Sequence, residues 1–129
     1  MQHGYESVAL LVTTICNGTC PDCCYRIPTH ETMPAHHYDW NYFEHAAHFL
    51  GGLETIYVSG GEPTLHPEFE RIATEFRALF RPQKLILATN GTKLMEHDCA
   101  LLEHFDTIVV TNFSTVATQK NIEWMKTHL

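Results

Sequence analysis

Three cysteines with the spacing of metal ligands, Cys16, Cys20 and Cys23, form the segment of this sequence best suited to chemistry. Thiolates this close in sequence can converge on one point, and they suit soft metals such as zinc, copper(I) and iron–sulfur clusters. A closed zinc site and a fully ligated cubane cluster each require four ligands. Three cysteines therefore predict a metal centre with one position left for a substrate or cofactor.

Other cysteines and histidines give weaker signals. Cys24 directly follows Cys23, and adjacent side chains of an extended segment point in opposite directions, so the two are not expected to share a metal. A zinc knuckle or a chance cluster of thiols remains the alternative for the whole loop. Cys99 is interpreted as a small buried hydrophobe. His45 and His48 are one helical turn apart, but without a His-Glu-x-x-His pattern a solvated helix face is favoured over a metal site.

Size and composition limit the function classes. The chain has 129 residues, enough for one domain with one core, and 44% apolar and 18% charged residues are ordinary for a folded protein. The formal net charge of −7 and the lack of a basic patch give no nucleic-acid signal. No apolar run approaches the ~20 residues that cross a membrane, and no signal peptide is recognised. We therefore expect a cytoplasmic protein whose cysteines bind metal or act in catalysis rather than forming disulfides.

Four short apolar or β-branched segments predict strands. The first is almost wholly apolar, as expected for a parallel strand covered on both faces. The predicted strands are Val8 to Val12, Thr55 to Ser59, Lys84 to Ala88 and Thr107 to Thr111.

Helical patterns follow each predicted strand. The first helix is expected to begin at Met33-Pro34 with Thr32 as its cap, and to end at Gly51-Gly52. The second is expected to begin near Pro67 and to place one apolar face toward the core. Its core residues are Phe69, Ile72, Ala73, Phe76 and Phe80. The apolar residues that mark the third helix are Leu94, Leu101 and Phe105, and those that mark the closing helix are Ile122, Met125 and Leu129.

Strand followed by helix, four times over, predicts an α/β fold with a parallel sheet. In such folds the loops that leave the carboxyl ends of the strands open on one edge, where ligands bind. The cysteine loop, the loop Gly60 to Pro63 and the loop Thr89 to Thr92 each follow a strand. We therefore expect these three loops to lie side by side.

The three loops, in this order, resemble the radical S-adenosylmethionine (SAM) superfamily. Cys16, Cys20 and Cys23 match its Cys-x3-Cys-x2-Cys signature, Gly60 to Pro63 reads Gly-Gly-Glu-Pro, and Thr89 to Gly91 reads Thr-Asn-Gly. The resemblance covers essentially the whole chain. It implies a single shortened core domain over 1–129, a partial (βα) barrel with four of the usual six strand–helix units.

The resemblance also implies a chemistry. The three thiolates would hold a [4Fe-4S] cluster whose unligated iron takes the amino and carboxylate groups of SAM. Reductive cleavage of SAM would give a 5′-deoxyadenosyl radical that acts on an unknown substrate, with the electron supplied by a reductant protein such as a flavodoxin or ferredoxin. The cofactor carries this reaction and the protein positions it.

The resemblance assigns roles to further residues. Gly60, Gly61, Glu62 and Pro63 form the loop that meets the methionine amino group, with Glu62 assisting. The remaining predicted contacts are Thr89, Asn90 and Thr111 toward the carboxylate or ribose, and the backbone of Asp22 toward the adenine. The alternative for both loops is structural, namely a plain Gly-Gly turn and a Thr-Asn-Gly turn with glycine at positive φ.

Two function classes remain open. One is a radical SAM enzyme, and the other is a non-catalytic iron–sulfur or zinc-binding module, or a partner subunit, derived from such a core. The segment Thr107 to Val110 carries no charge or proline to protect a sheet edge. We therefore expect this edge to be covered by a second copy of the chain, by a separate partner, or by the connector after Asn112.

Overall fold

The computed structural model describes residues 6–16, 35–91 and 99–110, together with Glu123 and Lys126. Strands and helices alternate along the chain, and a short 3-10 turn, Pro63–Leu65, follows the second strand. The strands are β1 (Ser7–Thr13), β2 (Thr55–Gly60), β3 (Lys84–Thr89) and β4 (Thr107–Val110). The helices are α1 (Trp40–Leu50), α2 (Phe69–Phe80) and α3 (Cys99–Leu102).

The four strands form one sheet in the order β1-β2-β3-β4, and every neighbouring pair is parallel. Ile56 of β2 lies opposite Val8 of β1 on one side and Leu85 of β3 on the other. The predicted α/β fold with a parallel sheet is confirmed. Because all strands run the same way, the loops that leave β1, β2 and β3 start from one edge of the sheet.

The core lies between the sheet and helices α1 and α2. Leu10, Val12, Ile56 and Val58 alternate along their strands with more accessible residues and pack in one cluster with helical aromatic side chains. All five residues predicted for the apolar face of α2 are buried. The 3.6-residue period of the apolar positions thus identified the core face of this helix.

The expectation that β1 is covered on both faces is wrong for the described part of the chain. Leu10 and Val12 are buried on the helical side, whereas Ala9, which points to the opposite face, is exposed. Val109 of β4 is also exposed, at 46%. The apolar run predicted two-sided burial because Leu11, on the face opposite to the helices, is apolar although it is only half-buried.

Helix α1 begins later than predicted. It starts at Trp40, and the side chain of Asp39 caps it by accepting a hydrogen bond from the N–H of Tyr42 at 2.9 Å. The preceding residues instead run antiparallel to the end of β1, where Tyr38 N–H donates to Val12 O at 3.0 Å. They thereby pair backbone groups at the β1 edge, which a helix could not do. The predicted cap Thr32 and start Met33-Pro34 lie outside the described residues, and the helix ends at Gly51 as expected.

The end of the chain is only partly described. Phe105, predicted to lie in the third helix, follows the short helix α3 and stacks on Phe69 with ring centroids 6.1 Å apart. Glu123 and Lys126 are helical, in keeping with a closing helix. Outside the described residues lie Leu94, Thr111, Ile122, Met125, Leu129 and the side chain of Cys99. Among the described helices, none has the length and apolar character needed to cross a membrane.

Candidate functional site

The structure describes seven of the eleven predicted site residues. Cys16 lies just after β1, and the Gly-Gly-Glu-Pro and Thr-Asn loops follow β2 and β3. The predicted residues that are described are Cys16, Gly60, Gly61, Glu62, Pro63, Thr89 and Asn90, and those outside the described residues are Cys20, Asp22, Cys23 and Thr111.

The two glycines of the second loop bring it against the end of β1. Gly61 N–H donates to Thr13 O at 2.9 Å, and Glu62 N–H donates to Ile15 O at 2.8 Å. A Cβ atom on Gly60 would stand 2.3 Å from Thr13 O, and one on Gly61 would stand 2.2 Å from Ile15 O. Gly60 also has a φ of 141°, which side chains rarely permit. The two glycines therefore let this loop lie directly against the backbone at the end of β1.

Glu62 is a fully buried carboxylate at the centre of the junction, with 0% of its surface exposed. Its Oε1 accepts from the backbone N–H of Asn90 at 2.7 Å, and its Oε2 accepts from the Thr89 hydroxyl at 2.5 Å. Oε2 also accepts from the backbone N–H of Thr64 at 3.3 Å and from the Thr64 hydroxyl. A buried carboxylate must be compensated by hydrogen bonds, and here four donors from two loops supply them.

The third loop is a tight turn built on Thr89. The Thr89 hydroxyl donates to Glu62 and accepts from the N–H of Gly91 at 3.1 Å. Gly91 has a φ of 79°, as expected for a turn that requires glycine. Both the turn and the attachment to Glu62 therefore fix the position of Asn90 between them.

Cys16 lies beside this turn. The side-chain Nδ2 of Asn90 is 4.0 Å from Cys16 Sγ, within reach of a hydrogen bond to the large sulfur atom. Both residues are half-buried. The structure thus brings together one residue from each predicted loop, Cys16, Glu62 and Asn90. Their roles toward a cluster and SAM stay predictions.

Sequence analysis missed a buried histidine next to this junction. The Nδ1 atom of His66 accepts a hydrogen bond from the N–H of Glu68 at 3.0 Å. The ring proton is therefore on Nε2, which donates to Tyr38 O at 2.7 Å. This contact joins the turn after β2 to the segment before α1. A lone histidine has no periodic signal, and its partner lies 28 residues away in sequence.

A second histidine, His37, packs against the first. Its ring centroid is 5.2 Å from that of His66, and its Nδ1 lies 2.7 Å from the Thr13 hydroxyl. Burial lowers the pKa of His37 below its ordinary value of 6.5, and the proximity of His66 and His36 lowers that pKa further. Both effects favour the neutral form of His37 beside the end of β1.

The solvated helix face expected for His45 and His48 agrees with the structure. His45 and His48 are both exposed on α1. Within residues 6–16, 35–91 and 99–110, no three histidine, cysteine, aspartate or glutamate side chains are placed to share a metal ion. Of the three predicted cluster ligands, this part of the chain includes Cys16 alone, so the predicted set is not tested by it.

Comparison with known sequences bears on the three loops. A family model described as the radical SAM superfamily matches residues 10–118. The GTP 3′,8-cyclase of Mannheimia succiniciproducens is 31% identical over 102 residues, which cover 75% of this chain and 29% of that protein. The GTP 3′,8-cyclase of Haemophilus ducreyi is 32% identical over 103 residues, with 78% and 30% covered. The matched region thus spans under a third of these relatives.

Comparison with solved structures finds a neighbour with the same fold. The crystal structure of BtrN in complex with AdoMet and 2-DOIA superimposes with a TM-score of 0.67 over 90% of this chain and 49% of BtrN. The sequences are 19% identical, so this likeness shows the fold. The family match, by contrast, includes all three motif loops. This chain therefore belongs to the radical SAM superfamily.

Proposed function

We propose that this chain is a radical SAM protein that cleaves SAM reductively at a [4Fe-4S] cluster, giving a 5′-deoxyadenosyl radical for use on a substrate that the site does not identify. The observation that carries the proposal is the junction at the carboxyl ends of the first three strands. There Glu62 joins the loop after β2 to the loop after β3, with Asn90 beside Cys16 Sγ.

Among the described residues, Cys16 has the chemistry and the position expected of a cluster ligand. Cys16 is half-buried at the carboxyl edge of the sheet, so a group bound to its sulfur would lie where ligands of parallel α/β folds bind. Thiolate is the donor that iron–sulfur clusters require. We propose Cys16, Cys20 and Cys23 as the ligands of a [4Fe-4S] cluster. When bound, this group supplies the electron that breaks the carbon–sulfur bond of SAM.

We propose that the loop after β2 binds the methionine amino group through the carbonyl oxygens of Gly60 and Gly61, since those of Glu62 and Pro63 already accept from Leu65 and His66. The N–H groups of Gly61 and Glu62 already donate to the end of β1. An ammonium group only donates hydrogen bonds, so it needs acceptors rather than N–H groups. The carboxylate of Glu62 is fully buried and accepts four hydrogen bonds within the fold. We propose that Glu62 assists SAM binding indirectly, by holding this loop in position.

The remaining assignments of the SAM pocket are proposals drawn from the family. Thr89, Asn90 and Thr111 would face the carboxylate or ribose, and the backbone of Asp22 would face the adenine. In the described residues the Thr89 hydroxyl is engaged by Glu62 and Gly91. Its contribution to SAM binding is therefore expected to come through the shape of the turn.

Anaerobic reconstitution tests the proposal. The purified chain is incubated with iron and sulfide, and bound iron is followed by absorption and electron paramagnetic resonance (EPR) spectroscopy. SAM and dithionite are then added, and 5′-deoxyadenosine is measured by chromatography. We expect cluster binding and product. Cys16→Ala and Cys23→Ala are expected to lose both, whereas Cys24→Ala, the matched control at the adjacent cysteine, is expected to keep both.

The other outcomes separate the alternatives. A reconstituted cluster without 5′-deoxyadenosine would contradict SAM cleavage and support a non-catalytic iron–sulfur module. Stoichiometric zinc with no iron would contradict both cluster assignments. Two relatives are GTP 3′,8-cyclases, so GTP is the first substrate to add. Consumption of GTP that depends on SAM would extend the proposal to a nucleotide substrate.

Two partner predictions accompany this function. A flavodoxin or ferredoxin is proposed as the electron donor, and replacing dithionite by reduced flavodoxin tests it through 5′-deoxyadenosine yield. The β4 edge is expected to be covered by a second copy, a partner or the connector after Asn112. Light scattering of the wild-type chain and of Val109→Lys, at an exposed position of β4, tests whether a second copy covers it. A monomer at every concentration would contradict that occupant.

A further inference from the structure

We propose that Asn90 tunes the reduction potential of the cluster by donating its side-chain amide to Cys16, and that Glu62 is the positioning residue that holds the two together. This inference rests on the proposed function, because it concerns the cluster that Cys16 would bind. It assigns to Asn90 a role toward the iron–sulfur group in place of, or in addition to, a contact with SAM.

The first support is the placement of the Asn90 amide. Its Nδ2 lies 4.0 Å from Cys16 Sγ, although the two residues are 74 positions apart in sequence. Amide N–H is a donor, and a metal-bound thiolate is an acceptor. Hydrogen bonds to the sulfurs of an iron–sulfur cluster are one of the factors that set its potential. The Asn90 amide can therefore influence the cluster through a hydrogen bond to one of its ligands.

The second support is the way in which Asn90 is held. Its own N–H donates to Glu62 Oε1 at 2.7 Å, and the hydroxyl of the preceding Thr89 donates to Glu62 Oε2 at 2.5 Å. Two consecutive residues are thus bound to the two oxygens of one buried carboxylate. The backbone of Asn90 is fixed, so its side chain starts from a fixed point beside Cys16.

The third support is that Glu62 also fixes the position of the cysteine loop. Glu62 N–H donates to the carbonyl oxygen of Ile15, the residue before Cys16, at 2.8 Å. The N–H of Ile15 in turn donates to the Thr13 hydroxyl at 3.0 Å. Glu62 therefore contacts the cysteine loop through its backbone and the asparagine loop through its side chain. Glu62 is thus bonded to both loops that carry the Asn90–Cys16 contact.

The direction of the effect follows from charge. Reduction adds negative charge to a cluster, and a hydrogen bond donated to a ligating thiolate stabilises that charge. Removing the donor is therefore expected to shift the midpoint potential to a more negative value. Replacing it by a carboxylate is expected to shift the potential further in the same direction, because like charges repel.

The test is an EPR-monitored redox titration of the reconstituted full chain without SAM or substrate. Asn90→Ala keeps the backbone N–H that binds Glu62, so we expect it to fold and bind iron, with a more negative midpoint potential than wild type. Asn90→Asp is a second variant, with the larger negative shift. Asn41→Ala, at an exposed asparagine of α1, is the matched control and is expected to retain the wild-type potential.

The role of Glu62 is tested at Thr89, which keeps the carboxylate in place. Thr89→Val removes the hydroxyl that binds Glu62 Oε2, and we expect a negative shift smaller than that of Asn90→Ala. Thr89→Ser keeps the hydroxyl and is expected to restore the wild-type potential. In the Thr89→Val background, Asn90→Ala should shift the midpoint potential by less than it does in the wild type, because the Asn90 amide is already displaced from Cys16.

The outcomes distinguish this inference from the proposed function. An unchanged potential in Asn90→Ala and Asn90→Asp, at full iron content, overturns the inference and leaves SAM cleavage intact. A folded Asn90→Ala chain that no longer retains iron also overturns it, because Asn90 would then be required for assembly. Absence of iron from the wild-type chain overturns the proposed function and this inference together.

Discussion

Two carboxylates, Glu62 and Asp106, connect neighbouring parts of the fold at opposite ends of β3. Glu62 holds the carboxyl end of β3 to the loop after β2. Asp106, just before β4, holds the amino end of β3 by accepting from Leu85 N–H at 2.8 Å, and it accepts from Arg77 of α2 at 2.9 Å. The chemical group is the same, but Glu62 is 0% exposed and the side chain of Asp106 is 42% exposed.

This difference in exposure indicates that the fold depends more on the side chain of Glu62 than on that of Asp106. Water can replace a hydrogen bond at an exposed carboxylate, but it cannot reach the donors around a buried one. We therefore expect the carboxyl edge, which includes the candidate site, to depend more strongly on its carboxylate than the amino edge does. The following predictions test that contrast in order of expected effect.

The largest effect is expected from Gly61→Ala. The added Cβ would stand 2.2 Å from Ile15 O, and backbone atoms cannot move aside cheaply. We expect a loss of about 3 kcal/mol in the free energy of unfolding, measured by urea denaturation. The control is Gly52→Ala, at a φ of 83° with nothing within 4 Å of the new Cβ, which should cost only about 1 kcal/mol. Equal losses would contradict the close approach of the two loops.

The second effect compares the two carboxylates directly. Glu62→Gln replaces one acceptor oxygen by an amide that faces donors, so we expect a loss of about 2 kcal/mol. Asp106→Asn keeps one oxygen for Leu85 N–H and loses an exposed ion pair with Arg77, so we expect a loss of about 0.5 kcal/mol. Chemical denaturation of the apo chain measures both. A larger loss of unfolding free energy in Asp106→Asn than in Glu62→Gln would contradict the stronger dependence of the carboxyl edge on its carboxylate.

The third effect is a dependence on acid. The hydrogen bond from Leu85 N–H, followed by that from Arg77, lowers the pKa of Asp106 below its ordinary value of 3.8. A lowered native pKa means that this contribution to stability is complete above 3.8 and is lost as the pH falls through the lower native value. Urea denaturation from about pH 5 to pH 2 should show a smaller loss in Asp106→Asn than in wild type. Identical profiles would contradict the contact.

The smallest effect is expected at His37, beside the carboxyl end of β1. Burial, then His66 and His36, lower its pKa below 6.5, so the unfolded chain binds the proton more readily. The contribution of His37 is complete above that value and is lost as the pH falls through the lower native pKa. His37→Gln should reduce the decline in stability between about pH 7 and pH 5. His45→Gln, on the exposed face of α1, is the control and should leave the decline unchanged.

The parallel α/β fold, the core face of α2 and the family could be predicted from the order and spacing of residues alone. These depend on local patterns: an apolar or β-branched run for each strand, a 3.6-residue period for Phe69 to Phe80, and fixed motif spacing after Cys16. Parallel strands carry their exit loops to one edge, so the approach of the three motif loops also followed from the order of elements. These features were predictable because each arises within a short stretch of chain.

The contacts between the loops became visible only in the folded chain. The tertiary structure showed that Gly60 and Gly61 make room for the chain's own backbone, that Glu62 faces inward, and that Asn90 lies beside Cys16. It also moved the start of α1 to Trp40, because the residues before it pair with the β1 edge. Each of these contacts joins residues far apart in sequence. Local propensity and periodicity contain no information on such pairs, which are fixed by close packing and by the need to satisfy buried polar groups.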